Sequence, residues 1–179
     1  MRAVLDANIL FPTILREILM DLAGQGLFAP VWSARILAEW RHAASRLGAD
    51  HDAVAGAEIA LLRDRFPAAC AADDGSRAID LHFPDPADRH VVEAALSAQA
   101  ALIVTANLRD FPQGLMARLG LRAIHPDAFL LDLLADHRQA VGRAVQDARD
   151  KASRMGGDMT AAEMLRRSRL PRLAKALKG

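Results

Sequence analysis

Short apolar runs alternate with longer stretches of helical periodicity over the first two thirds of the chain. The run Ala3-Val4-Leu5 has no helical period and stops at Asp6, the pattern of a strand buried in a parallel sheet. Pro12 suits the first turn of a helix in which Ile14, Leu15, Ile18, Leu19 and Leu22 recur at helical spacing; Gly24 and Gly26 end it. Leu27 to Val31 reads as a second strand. Ser33 is placed to cap the next helix, whose apolar stripe is Ile36, Leu37, Trp40, Ala44 and Leu47. A further helix is predicted over about Asp52–Phe66, before a polar loop containing Asp73-Asp74-Gly75-Ser76. The alternation of Ile79, Leu81 and Phe83 predicts a third strand over Ala78–Phe83. Pro84-Asp85-Pro86-Ala87-Asp88 then turns the chain into a helix bearing Val91, Val92, Ala95 and Leu96. Ala101–Val104 and Leu121–Ile124 read as the fourth and fifth strands.

Strands alternating with helices argue an α/β fold with a parallel sheet and helices on both faces. From about Pro126 onward the pattern is helical only. Gly156-Gly157 breaks this region, and Asp158-Met159-Thr160-Ala161 opens the last helix. The expected organisation is an α/β domain over residues 1–125 and a helical extension over residues 126–179.

The net charge of +1 hides an asymmetry between these parts. Residues 1–135 carry 12 basic and 17 acidic side chains, whereas residues 136–179 carry 11 and 5. Arg166, Arg167, Arg169, Arg172, Lys175 and Lys178 crowd the end of the chain, interleaved with Leu165, Leu170, Leu173 and Leu177. Such a basic amphipathic segment suits contact with RNA, a second copy, another protein or its own domain. No apolar run approaches the ~18–20 residues of a membrane span and no signal-peptide pattern opens the chain, so a soluble, cytoplasmic protein is expected. Cys70 is the only cysteine, which excludes a disulfide framework or thiolate zinc site within one chain.

In open parallel sheets, ligands gather at the carboxyl ends of the strands, where strand order reverses. The acids of this chain fall there. Asp6 ends the first strand, Asp85 and Asp88 follow the third, and Thr105, Asn107 and Asp110 follow the fourth. Glu39 lies beside the apolar stripe of its helix. Each also has a plainer reading: Asp6 as a helix-entry residue, Asp88 as a first-turn acid favoured by the helix dipole, Glu39 as a solvated side chain and Asp110 as a loop acid. Asp85 reads as an N-cap with Pro86 at the first helical position, which leaves Asp88 free for a ligand. Four carboxylates gathered at one edge repel unless a cation neutralises them, and all-oxygen ligation selects Mg²⁺ or Mn²⁺. His90 reads as a surface or supporting residue, and Trp32 and Trp40 as core.

Val4-Leu5-Asp6-Ala7-Asn8, Trp32-Ser33-Ala34-Arg35-Ile36-Leu37-Ala38-Glu39, Asp85-Pro86-Ala87-Asp88-Arg89-His90-Val91-Val92-Glu93-Ala94-Ala95 and Val104-Thr105-Ala106-Asn107-Leu108-Arg109-Asp110-Phe111 together resemble the PIN domain, over about residues 2–125. The likeness is to the bacterial branch of VapC-type toxins. The resemblance implies a three-layer α/β/α sandwich with a five-stranded parallel sheet of order 3-2-1-4-5. It implies a Mg²⁺- or Mn²⁺-dependent endoribonuclease, the toxin of a toxin–antitoxin pair, with RNA as substrate, a small antitoxin protein as partner and a homodimeric state. By matching position, Asp6, Glu39, Asp88 and Asp110 are its catalytic acids, with Asp6, Asp88 and Asp110 on the metal. Asn8, Thr105 and Asn107 support them, and Asn107 stands where some members carry a further acid. Arg166, Arg167, Arg169 and Arg172 are candidate contacts to RNA or a partner. The alternatives are an RNA-binding PIN module with little or no catalysis, and a flavodoxin-like domain for a small ligand. The latter is disfavoured because no Gly-rich phosphate loop follows the first strand.

Overall fold

In the computed structural model of the chain, which describes residues 1–78, 82–156 and 158–178, the first apolar run forms β1 (Arg2–Leu5), with Ala3, Val4 and Leu5 fully buried. The chain continues through α1 (Ala7–Leu10), α2 (Thr13–Gly24), β2 (Ala29–Ser33), α3 (Ala34–Ser45), α4 (Ala49–Arg65) and β3 (Cys70–Ala71). A 3-10 turn over Pro86–Asp88 leads into α5 (Arg89–Ser97), followed by β4 (Leu102–Val104) and a second 3-10 turn over Leu108–Asp110. Next come α6 (Gln113–Arg118), β5 (Arg122–Ile124), α7 (Pro126–Asp136), α8 (Arg138–Arg154), α9 (Ala161–Arg167) and α10 (Pro171–Ala176).

The strands form a five-stranded parallel sheet flanked by helices, as the alternating pattern predicts, in the order β3-β2-β1-β4-β5 that the family resemblance implies. β1 is central: Val4 lies opposite Val31 on one side and Ile103 on the other. A strand covered on both faces needs apolar side chains at every position, which is why β1 and β4 are apolar throughout their buried length. The chain steps outward from β1 to β2 and β3, then crosses to β4 on the other side of β1, so the order reverses between β1 and β4. That reversal opens a crevice at their carboxyl ends.

The third strand differs from the one expected. Of Ala78–Phe83, residues 79–81 lie outside the described residues, and Ala78, His82 and Phe83 are not in a strand. β2 pairs instead with Cys70–Ala71, through Trp32–Cys70 and Ser33–Ala71. Two residues are too few to display a period. The stripe of α3 is buried at Ile36, Leu37, Trp40 and Ala44, but the helix ends before Leu47, which is 60% exposed. Ser33 caps α3 as expected, its Oγ accepting the Ile36 amide at 3.2 Å. Trp32 and Trp40 are core residues, and Trp32 meets Phe66 edge-on.

The chain packs into two compact units. One comprises Met1–Phe11 and Phe28–Ile124 and contains the whole sheet with α1, α3, α4, α5 and α6. The other comprises Pro12–Leu27 and the chain from His125 onward. Within it α2 packs on α8, α7 on α8, and α10 on both α7 and α9. The last helical stretch is two short helices. Asp127, 4% exposed near the start of α7, accepts the backbone amides of Arg172 and Leu173 at 3.0 and 2.9 Å and so caps α10 from another element. α9 opens on a capping box between Thr160 and Glu163. No helix among the described residues is long and apolar enough to cross a membrane.

Candidate active site

Asp6 follows the last residue of β1, and its backbone amide extends the ladder to Val104 O at 3.2 Å. Its carboxylate is 5% exposed at the reversal of strand order, directly beside Thr105 at the end of β4. Asp6 Oδ2 accepts the Thr105 hydroxyl at 2.7 Å and the Asn8 amide at 2.6 Å. Asn8 also donates to Thr105 Oγ1 at 3.2 Å and accepts the Ala106 amide through Oδ1 at 3.0 Å. The Asn107 amide closes the loop onto Thr105 Oγ1 at 3.1 Å. Asn8 and Thr105 thus fix Asp6 and tie the end of β1 to the loop after β4. The Asn107 side chain donates to Asp110 Oδ2, so a neutral amide stands beside that acid.

Asp85 caps the turn before α5: its Oδ1 accepts the Ala87 amide at 2.8 Å, with Pro86 at the first position. Asp88 has no capping bond of its own. It shares a hydrogen bond with Asp110 and feels the charges of Asp6, Asp110 and Asp85. Burial, followed by those charges, pushes its carboxyl up to about 6. Burial also raises the Asp6 carboxyl, against the hydrogen bonds from Thr105, Ala7 and Asn8, and the Glu39 charge adds to the rise. The fold therefore gathers all four expected acids: Asp6 senses Glu39, and Asp88 senses Asp6 and Asp110.

Glu39 has a close neighbour on each of two sides. Arg35, one turn earlier on α3, reaches its Oε1 at 3.4 Å and also donates to Ala87 O at 3.4 Å. His90 Nε2 lies 3.2 Å from Oε2, while His90 Nδ1 is 2.6 Å from Ala87 O. A carbonyl only accepts, so Nδ1 carries a hydrogen. His90 is 4% exposed, so it is a buried neighbour of Glu39 and not a surface residue. Its position two residues after Asp88, on the same helix start, is the signal that connects it to the site. Sequence reasoning passed over Glu93 altogether. This carboxylate is fully buried on α5, and both its oxygens accept the Arg77 amide, at 2.9 and 3.0 Å. Glu93 falls among the apolar positions of α5, and that placement is its only sequence signal.

Among the described residues, no group of three or more His, Cys, Asp or Glu side chains stands in a metal-ligating arrangement. The donor chemistry nevertheless fits a hard divalent cation. Asp6, Asp88 and Asp110 offer only oxygens, and the charges of Asp6 and Asp110, which add to burial in raising Asp88, are what such a cation neutralises. Arg166, Arg167, Arg169 and Arg172 belong to the other compact unit.

A parallel sheet of order 3-2-1-4-5 with coupled carboxylates at its reversal point defines an α/β protein with an acidic switch-point crevice. A family model described as PIN domain matches residues 2–109, which hold every one of these acids except Asp110, and the chain belongs to that family. It is also 45% identical over 53 residues to the candidate ribonuclease VapC50 of Mycobacterium tuberculosis, a stretch covering 30% of this chain and 31% of that protein. The match thus spans about a third of that curated relative. No solved structure matches the chain.

Proposed function

We propose that this chain is a Mg²⁺- or Mn²⁺-dependent endoribonuclease, acting in the cytoplasm as the toxin of a toxin–antitoxin pair and held in check by a small antitoxin protein. The observation that carries this reading is the electrostatic coupling of Asp6, Glu39, Asp88 and Asp110 at one crevice of a PIN-family fold. The partial likeness to VapC50 supports the ribonuclease class and the toxin role, and the homodimer is an expectation of the same likeness.

Asp6, Asp88 and Asp110 would hold the cation, which when bound supplies charge neutralisation at the scissile phosphate and acidifies water. The chain's own residues do the rest. Thr105 and Asn8 hold the Asp6 carboxylate in one orientation through its Oδ2. Asn107 does the same for Asp110 without adding a charge. Glu39, oriented by Arg35 and flanked by His90, is placed to take a proton from the attacking water.

Incubation of the purified protein with an end-labelled single-stranded RNA in Mg²⁺ or Mn²⁺ tests this. Cleavage is expected, abolished by EDTA and lowered at least about 100-fold in Asp6→Asn and Asp88→Asn, since perturbing only the supports of a metal site already costs 10–100-fold. Variants that cleave as well as the parent would sink the assignment of the acids. RNA binding without cleavage in either metal would instead favour an RNA-holding PIN module.

A further inference from the structure

We propose that the α9–α10 pair is an RNA-backbone-binding module, with Arg166, Arg167, Arg169 and Arg172 as its phosphate contacts. The inference rests on the reading of this chain as a protein that acts on RNA. It deepens that reading by assigning a surface to the substrate strand.

Between Met159 and Lys178 the only acid is Glu163, and its carboxylate is engaged by the backbone amide and hydroxyl of Thr160, at 2.9 and 2.7 Å. Arg166, Arg167, Arg169, Arg172, Lys175 and Lys178 are all exposed. Among the described residues, none of the six closes an ion pair with a carboxylate. Six cations on and beside two short helices repel one another, and Glu163, which feels the charges of Arg167 and Arg166, is the one acid of the segment to offset them. A polyanion would neutralise the rest.

The turn between the helices carries a second observation. Leu170 N donates to Leu165 O at 2.8 Å and Arg169 N to Arg166 O at 3.1 Å, the paired bonds of a Schellman motif. The residue at its left-handed position is ordinarily glycine, because a Cβ is strained there. Here it is Arg169, at φ +60°. That conformation sets the exposed Arg169 guanidinium at the turn between the two helices. Asp127 pins the next cation, because it accepts the Arg172 amide and so holds that backbone without touching the guanidinium.

The structure also separates RNA from a protein partner. Leu165, Leu170 and Leu173 are fully or almost fully buried within the chain, so the segment presents cations without an apolar centre. Protein interfaces need such a centre, whereas a phosphate backbone does not. Arginine predominates in the cluster, and its planar fork suits phosphate oxygens.

Fluorescence anisotropy with a labelled single-stranded RNA of about 20 nucleotides, in EDTA and between about 50 and 200 mM KCl, tests the module on the full chain without cleavage. Changing all four arginines to glutamine should weaken binding and flatten the slope of log K against log salt by about 3, at roughly 0.7 per lost contact. Changing the same four to lysine should keep most of the slope. Arg169→Gly should raise the thermal unfolding midpoint by about 2–4 °C while weakening RNA binding, the opposite of what a structural arginine would do. Equal affinity and slope in the glutamine variant would overturn the proposal, as would a lowered midpoint with unchanged binding in Arg169→Gly. Because binding is measured without divalent metal, this outcome is independent of whether Asp6 and Asp88 support cleavage.

Discussion

Thr105 is the residue on which the candidate site turns. Its single hydroxyl donates to Asp6 and accepts from Asn8 and the Asn107 amide, which uses its whole hydrogen-bonding capacity in a fully buried place. Thr105→Val keeps the shape and removes that hub. We expect single-turnover cleavage to fall about 10–100-fold, as when the support of a metal-site carboxylate is lost. Stability should drop by about 1–3 kcal/mol through the unpaired amide. Thr105→Ser should recover most of both. An undiminished rate in the valine variant would show that Asp6 needs no such support. The sequence showed Thr105 only as a polar residue after a strand, and the structure has its hydroxyl bond both the Asn107 backbone amide and the Asp6 carboxylate. His90 and Glu93 were less accessible, because a polar residue inside a helix declares its partner only when another element meets it.

At the scale of elements, the long helices and the apolar strands follow from periodicity, with ends shifted by a few residues. β3 does not, since Cys70–Ala71 sits in an alanine-rich stretch without alternation, while a more convincing alternation follows it. The break between α9 and α10 is marked in sequence by Pro171, the first residue of α10, but the leucine and arginine pattern running through it masks that signal and the left-handed residue is not a glycine. α10 is six residues long, so it depends on tertiary support. Asp127 provides that support, two hydrogen bonds from a buried carboxylate to the α10 amides. Asp127→Ala should cost about 1–3 kcal/mol in urea unfolding, with Asp127→Asn retaining part of it. An unchanged urea midpoint would show that α10 stands without its cap.

For the molecule as a whole, the acidic crevice makes stability depend on pH and metal together. Asp88 is raised in the fold to about 6, and Asp6 is raised as well, above the ordinary carboxylate value of about 4 in the unfolded chain. The folded form therefore binds more protons than the unfolded one in that interval. The stability that Asp88 contributes is full below about pH 4 and is lost as pH rises through about 6, and the Asp6 contribution falls in the same direction. In EDTA, Asp88→Asn should gain thermal stability over the parent between pH 5 and 7.5, because its amide carries no charge to repel its neighbours. Added Mg²⁺ or Mn²⁺ should raise the parent's midpoint more at pH 7.5 than at pH 5, and raise Asp88→Asn less. A metal effect that is the same at both pH values would argue against carboxylate ligation.

The sequence by itself determined the α/β class, the parallel sheet and the address of the acids. Those features follow from local patterns: apolar runs, helical spacing, and carboxylates that directly follow strands. Tertiary structure decided which polar groups meet. It joined Asp6 to Thr105 across 99 positions of chain, and it placed residues 12–27 in a compact unit with the C-terminal helices. It also buried Leu165, Leu170 and Leu173 of the basic segment while leaving Arg166, Arg167, Arg169 and Arg172 exposed. Sequence patterns report what one element buries. Which element covers it, and which charges are left facing solvent, depend on contacts between residues far apart in the chain.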